Sequence, residues 1–387
     1  MSPRFPCRPR TRWSESCWAI ALPTTSEQWA DDCSGARAQA VRCAGFTGRR
    51  WRSCRRNYAF PRSSSGRPSR SASWWRCLGS ARHRRCASGA GARSQCSSLT
   101  RRPSHCWSIC CDADTRRSVW VTAQDGARLH VVDQGAGDAV LWLQGLNAPA
   151  AAWAVQLAHF AQSFRSLAPD ARGVGQSDAP PGPYTARQLA ADAGAVLDAA
   201  GVGRAHVVGI SLGGAVAQEL ALGHPARVRS LALLSTFAAQ PPRARALLEA
   251  WRALYPVAIS DPRLRKAWEL QAYAWLFTDR FWRSEANVRA ALRFASTQPP
   301  QTAQGFVGQV DAALSHDSRD RLAGIDVPTL VIHGALDQLS VKENGEELAR
   351  LIRGAELLIL PEVGHAVNLE GQRAVNGALR ALWKRVP

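Results

Sequence analysis

Past Cys111 the chain has no cysteine, and past Met1 it has no methionine. The first absence excludes a disulfide framework, a thiolate metal site and a cysteine nucleophile from everything downstream. Lysine is missing from residues 1–117, although that segment holds 23 arginines against six acidic residues. It therefore carries +17 of the formal net charge of +19, which leaves +2 for residues 118–387. The basic balance is local and does not make the whole chain a binder of nucleic acid or of an anionic surface. No apolar run leads to a small-residue cleavage site, so no secretory signal is expected and the expected compartment is the cytoplasm. The longest uncharged run, Ala139 to Phe164, is broken by Gln144, Asn147, Pro149 and His159. It reads as strand, loop and helix, and no membrane association is expected.

Residues 1–117 are rich in Arg, Ser, Cys and Trp, with neither a helical nor an alternating apolar period, and the expected state is disorder. Three origins compete for this segment. Arginines with interleaved tryptophans can bind nucleic acid through phosphates and stacking. The Arg/Ser bias resembles an organelle transit peptide, but the length and the cysteines argue against that. A GC-rich coding region read out of frame, upstream of a later start, produces the same mixture. This third reading is preferred, and with it no nucleic-acid partner is expected. Cys106, Cys110 and Cys111 beside His105 have no second cluster to complete a zinc site, so no metal is expected.

From Ser118 the texture changes. Strands are predicted over Val119–Ala123, Leu129–Asp133, Ala139–Leu143, Arg165–Ala168, Ala205–Ile210, Ser230–Leu234, Thr329–His333 and Glu356–Leu360. Helices are predicted over Ala150–Ala161, Ala186–Ala200, Leu212–Gly223, Lys342–Ile352 and Gly371–Lys384. The Asp125-Gly126 turn joins the first two strands as a hairpin. The rest alternate with helices and are near-continuous apolar runs, the pattern of a mostly parallel sheet covered on both faces. Residues 240–310, between Pro241-Pro242 and Pro299-Pro300, hold no strand and read as an all-helical insertion. Its aromatics, Trp251, Tyr255, Trp268, Tyr273, Trp275, Phe277, Phe281 and Trp282, are expected mostly to pack. An insertion over the carboxyl edge of the sheet would also roof the ligand crevice.

Gly209-Ile210-Ser211-Leu212-Gly213 follows the apolar run His206–Val208 and opens a helical pattern. Alone the motif is weak. Between strand and helix it marks a sharp turn whose glycines make room for a strained serine, with Ser211 Oγ lifted above the sheet. Serine needs a base. Of the seven histidines after Ser118, His365 stands in a loop directly after the last strand. His130, His206 and His333 fall in or beside strands and are expected to pack. His224 fits a helix end, and His159 and His316 are placed on solvated helical faces. The acid is Asp337, in the loop after Thr329–His333, whereas Asp326 precedes that strand and belongs to the opposite edge. Nucleophile, acid and base thus follow in chain order at strand ends, where Asp337 would orient the His365 imidazole. The oxyanion donors are expected to be the Leu212 N–H and the Leu146 N–H, the latter in the loop Gln144-Gly145-Leu146-Asn147.

These residues resemble the α/β-hydrolase fold family over essentially all of 118–387 and none of 1–117. Gly209–Gly213 is similar to its nucleophile turn, Asp170-Ala171-Arg172-Gly173-Val174-Gly175-Gln176-Ser177 to a second family turn, and 240–310 to its cap. Pro183-Tyr184-Thr185, Asp317–Leu322 and Ile325–Thr329 are similar to stretches of the subgroup of 3-oxoadipate enol-lactonases, aminoacrylate-type hydrolases and related small bacterial esterases. One departure stands out: Gln144 occupies a position that is usually histidine. The resemblance implies a cofactor-independent serine hydrolase of carboxylic esters, lactones or related acyl compounds, with a small-molecule acyl substrate. A C–C bond hydrolase or acyltransferase with the same triad, or a binding protein on the scaffold, are the alternatives. Serine rather than aspartate at the nucleophile turn argues against haloalkane dehalogenases and epoxide hydrolases.

Overall fold

The computed structural model describes residues 116–386. The disorder expected for residues 1–117, its three explanations and the cysteine grouping at 106–111 lie outside these residues, Arg116 and Arg117 apart.

Eight strands form one sheet: β1 (Arg117–Thr122), β2 (Arg128–Gln134), β3 (Asp138–Leu143), β4 (Phe164–Pro169), β5 (Ala205–Ile210), β6 (Val228–Leu234), β7 (Thr329–Gly334) and β8 (Glu356–Leu360). Their order is β1-β2-β4-β3-β5-β6-β7-β8. β2 runs antiparallel to both its neighbours, and every later pairing is parallel. The hairpin closes as expected: Gly126 takes φ +87°, and the Ala123 N–H donates to the Ala127 carbonyl.

Alternation along the central strands divides the core in two. Leu141 and Leu143 of β3, with Leu231 and Leu233 of β6, point to one face. There they meet α2 (Ala186–Ala199), α3 (Leu212–Gly223) and α9 (Lys342–Leu351). Val140, Trp142, Ala232 and Leu234 point to the other, against α1 (Ala154–Phe160) and α11 (Gln372–Lys384). Trp142 packs on Trp153, and Phe160 on Trp383. All six residues of β5 are buried because helices cover both of its faces. The helix expected over Ala150–Ala161 opens with a 3₁₀ turn, Ala150–Trp153.

Between β6 and β7 lies the helical insertion: α4 (Pro242–Ala258), α5 (Pro262–Leu276), α6 (Asp279–Trp282), α7 (Glu285–Thr297) and α8 (Ala303–Ser315). Its inner aromatics pack as expected. Trp251, Tyr255 and Trp268 are buried, and Tyr255 stacks on Phe306 with centroids 3.9 Å apart. A last short helix, α10 (Val367–Glu370), precedes α11. Among the described residues no helix is long and apolar enough to cross a membrane.

Candidate active site

β5 ends at Ile210, and Ser211 turns the chain into α3 with φ 54° and ψ −123°. This conformation costs an L-residue on the order of 1–3 kcal/mol and persists only where the surroundings enforce it. Here they do. A side chain on Gly209 would strike the Gly213 carbonyl, and one on Gly213 would strike the Leu143 carbonyl. Thr236, just past β6, donates its hydroxyl to the Ser211 carbonyl at 2.7 Å. The turn is therefore gripped from β3, from β6 and from its own helix.

Asp337 and His365 meet across the ends of β7 and β8. Asp337 Oδ2 lies 2.8 Å from His365 Nδ1, and both residues are buried. Asp337 Oδ1 accepts the Leu339 and Ser340 N–H groups at 2.9 and 2.8 Å, so the carboxylate is held in one orientation. With Nδ1–H directed at the carboxylate, Nε2 keeps its lone pair as a base. Ser211 and His365 line one cavity of about 1650 Å³, although no hydrogen bond joins Ser211 Oγ to the imidazole. Such contacts commonly tighten only when substrate is bound. Asp326, by contrast, precedes β7 and is exposed.

Leu146 and Leu212 line the same cavity. Among the described residues neither amide has a hydrogen-bond acceptor, which leaves both N–H groups available to an incoming oxyanion. The Leu146 loop is fastened at both sides. Gln144 folds its Oε1 back onto the Gly145 N–H at 3.0 Å. Gln309, on α8, accepts the Asn147 N–H at 3.1 Å and donates its Nε2 to the Arg172 carbonyl at 3.1 Å. The turn at 170–177 supports this loop from below: Asp170 Oδ1 accepts the Ala150 N–H, and Arg172 pairs with Asp192 and Asp125.

Thr236 and Gln309 had no local sequence signal, since each acts on a residue far away in the chain. The expected packing of three histidines holds. His130, His206 and His333 are buried, and burial pushes His206 and His333 down to about 4. His333 Nε2 lies 3.0 Å from the Ser340 carbonyl, which steadies the acid loop. His224 is the C-cap residue of α3, and His159 is exposed. His316 needs correction: it is buried, not solvated, with Nδ1 3.3 Å from a Glu219 carboxylate oxygen. Burial alone would raise the Glu219 carboxyl, but hydrogen bonds from Arg321, with His316 beside it, outweigh burial and hold it at about 2.

Strand order, serine turn and the Asp337–His365 pair together define a known architecture, and residues 138–372 match the α/β hydrolase fold family. The chain belongs to that family. Over 271 residues it is 32% identical to 3-oxoadipate enol-lactonase 2 of Acinetobacter baylyi, an alignment covering 68% of this chain and 96% of that protein. It is 31% identical over 253 residues to the 2-hydroxymuconate semialdehyde hydrolase of Pseudomonas putida, covering 63% and 86%. The crystal structure of the enol-lactonase from Burkholderia xenovorans LB400 superposes with a TM-score of 0.61 at 26% identity, covering 69% of this chain and 100% of that one. The resemblance read from the motifs is borne out, and the chain is an α/β hydrolase.

Proposed function

We propose that residues 118–387 form a serine hydrolase of carboxylic esters, lactones or related acyl compounds, working through an acyl-enzyme on Ser211. Ser211 Oγ attacks the acyl carbon while His365 Nε2 takes its proton. Asp337 holds the imidazole and stabilises the imidazolium formed. The Leu146 and Leu212 N–H groups hold the oxyanion, helped by the positive end of α3. The tetrahedral adduct collapses, and the leaving oxygen takes the proton from His365. Water then repeats the sequence and frees the acid.

The observation that carries this reading is the strained Ser211 turn sharing a cavity with the hydrogen-bonded His365–Asp337 pair. The insertion acts as the cap, with Trp251, Trp268, Phe277 and Phe281 on the cavity wall favouring an apolar acyl group. The name of the Pseudomonas putida relative supports a second reading, in which the same residues cleave a C–C bond. A panel of p-nitrophenyl esters, lactones and vinylogous diketones separates the two. Turnover of esters or lactones is expected, and turnover of the diketones alone would replace the first reading with the second. The cytoplasmic setting belongs to the same proposal, and cell fractionation tests it.

A further inference from the structure

We propose that Glu370 is a positioning residue that fastens the helical insertion to the loop of His365, so that one carboxylate sets both the imidazole and part of the acyl-pocket wall. The proposal rests on the reading of Ser211 and His365 given above. Glu370 Oε2 accepts the Gly364 N–H at 3.0 Å. Its Oε1 accepts the Thr278 hydroxyl at 2.5 Å and the Thr278 N–H at 3.2 Å. Thr278 is a buried residue of the insertion, between α5 and α6. On the other side of His365, the Ala366 N–H donates to the Leu276 carbonyl at 3.0 Å. Both chain neighbours of the imidazole are thus held by residues 276–278, one through Glu370 and one directly.

Three further features fit this role. Gly364 leaves space for the fastening, because a Cβ there would lie 2.9 Å from Glu370 Oε2 and 3.2 Å from the Leu276 carbonyl. The group receives three donors and offers none, which suits a carboxylate and not an amide. A glutamine would have to turn its NH₂ towards Gly364 or towards Thr278. Finally, Phe277 lies between the two anchored residues, lines the cavity and stacks on Phe281 with centroids 3.8 Å apart. Displacing 276–278 would therefore move the imidazole and the pocket wall together.

The test compares the full chain with Glu370→Gln and Thr278→Val. The readouts are the rate of Ser211 phosphonylation by a fluorophosphonate, and kcat and KM over p-nitrophenyl esters of increasing acyl length. A base displaced by a fraction of an ångström to an ångström loses on the order of 10²-fold in rate. Glu370→Gln is expected to slow phosphonylation and kcat by that order and to change the ranking of acyl lengths, with the far-ultraviolet circular dichroism unchanged. Thr278→Val keeps two of the three donors and is expected to lose less, in the same two readouts. A folded Glu370→Gln with wild-type phosphonylation and acyl ranking overturns the proposal. If that variant does not fold, unchanged kinetics in Thr278→Val overturn it. A wild-type chain that the probe leaves unlabelled at Ser211 defeats the underlying reading itself, and is told apart from the other outcomes by that alone.

Discussion

Ser211 holds a backbone conformation that only its neighbours can enforce, and it lines the cavity beside the free Leu212 amide, where the proposed mechanism uses its hydroxyl. On the ester panel, Ser211→Ala and His365→Ala are each expected to lose on the order of 10⁴-fold or more in kcat, with folding unchanged. Because the members act as a unit, the double variant should lose little more than either single one. Asp337→Asn should also be severe, since an amide at the 2.8 Å contact favours the wrong imidazole tautomer. An active Ser211→Ala enzyme would contradict the mechanism. Ser211, Asp337 and His365 were legible because each sits within a few residues of a strand end, and strand, turn and glycine signals are local. Thr236, Gln309 and Glu370 were not legible. Each grips its partners through hydrogen bonds set by tertiary packing, and a lone Thr, Gln or Glu in a helix or loop looks like any other.

Among the elements, the central strands were readable as near-continuous apolar runs, because helices cover both sheet faces, and the outer helices from their period. The insertion was readable as helical but not as a surface. Its eight aromatics look alike in sequence, yet Phe277 and Phe281 line the cavity while Trp275 packs on the core with Arg243 over its ring. His316 was misplaced for the same reason: its partner Glu219 lies on α3, nearly a hundred positions away. Phe281→Ala should therefore alter the preference among acyl chain lengths, by roughly 1 kcal/mol for each methylene gained or lost from the pocket. Trp275→Ala should lower the melting temperature and leave that preference alone. Equal losses on every ester with Phe281→Ala would take it off the pocket wall.

At the scale of the whole molecule, two buried imidazoles tie stability to pH. His206 and His333 are held neutral by burial, down to about 4 from an ordinary 6.5. Below about 6.5 the unfolded chain takes up protons that the folded one refuses. Stability present above that pH is lost as it falls towards 4, by an order of 2–3 kcal/mol for each group. Urea midpoints at pH 7.5 and pH 5 should show the decline, and a midpoint that does not move would mean that these histidines are not held neutral. The proposed catalysis, however, is covalent, with the acyl group of the substrate passing through Ser211. Rapid quenching during turnover of a slow p-nitrophenyl ester, followed by peptide mass spectrometry, tests it most directly. The acyl mass is expected on the peptide containing Ser211 and on no other, and none in Ser211→Ala. Turnover with an unmodified Ser211 peptide, or with the acyl group on a different residue, would contradict it.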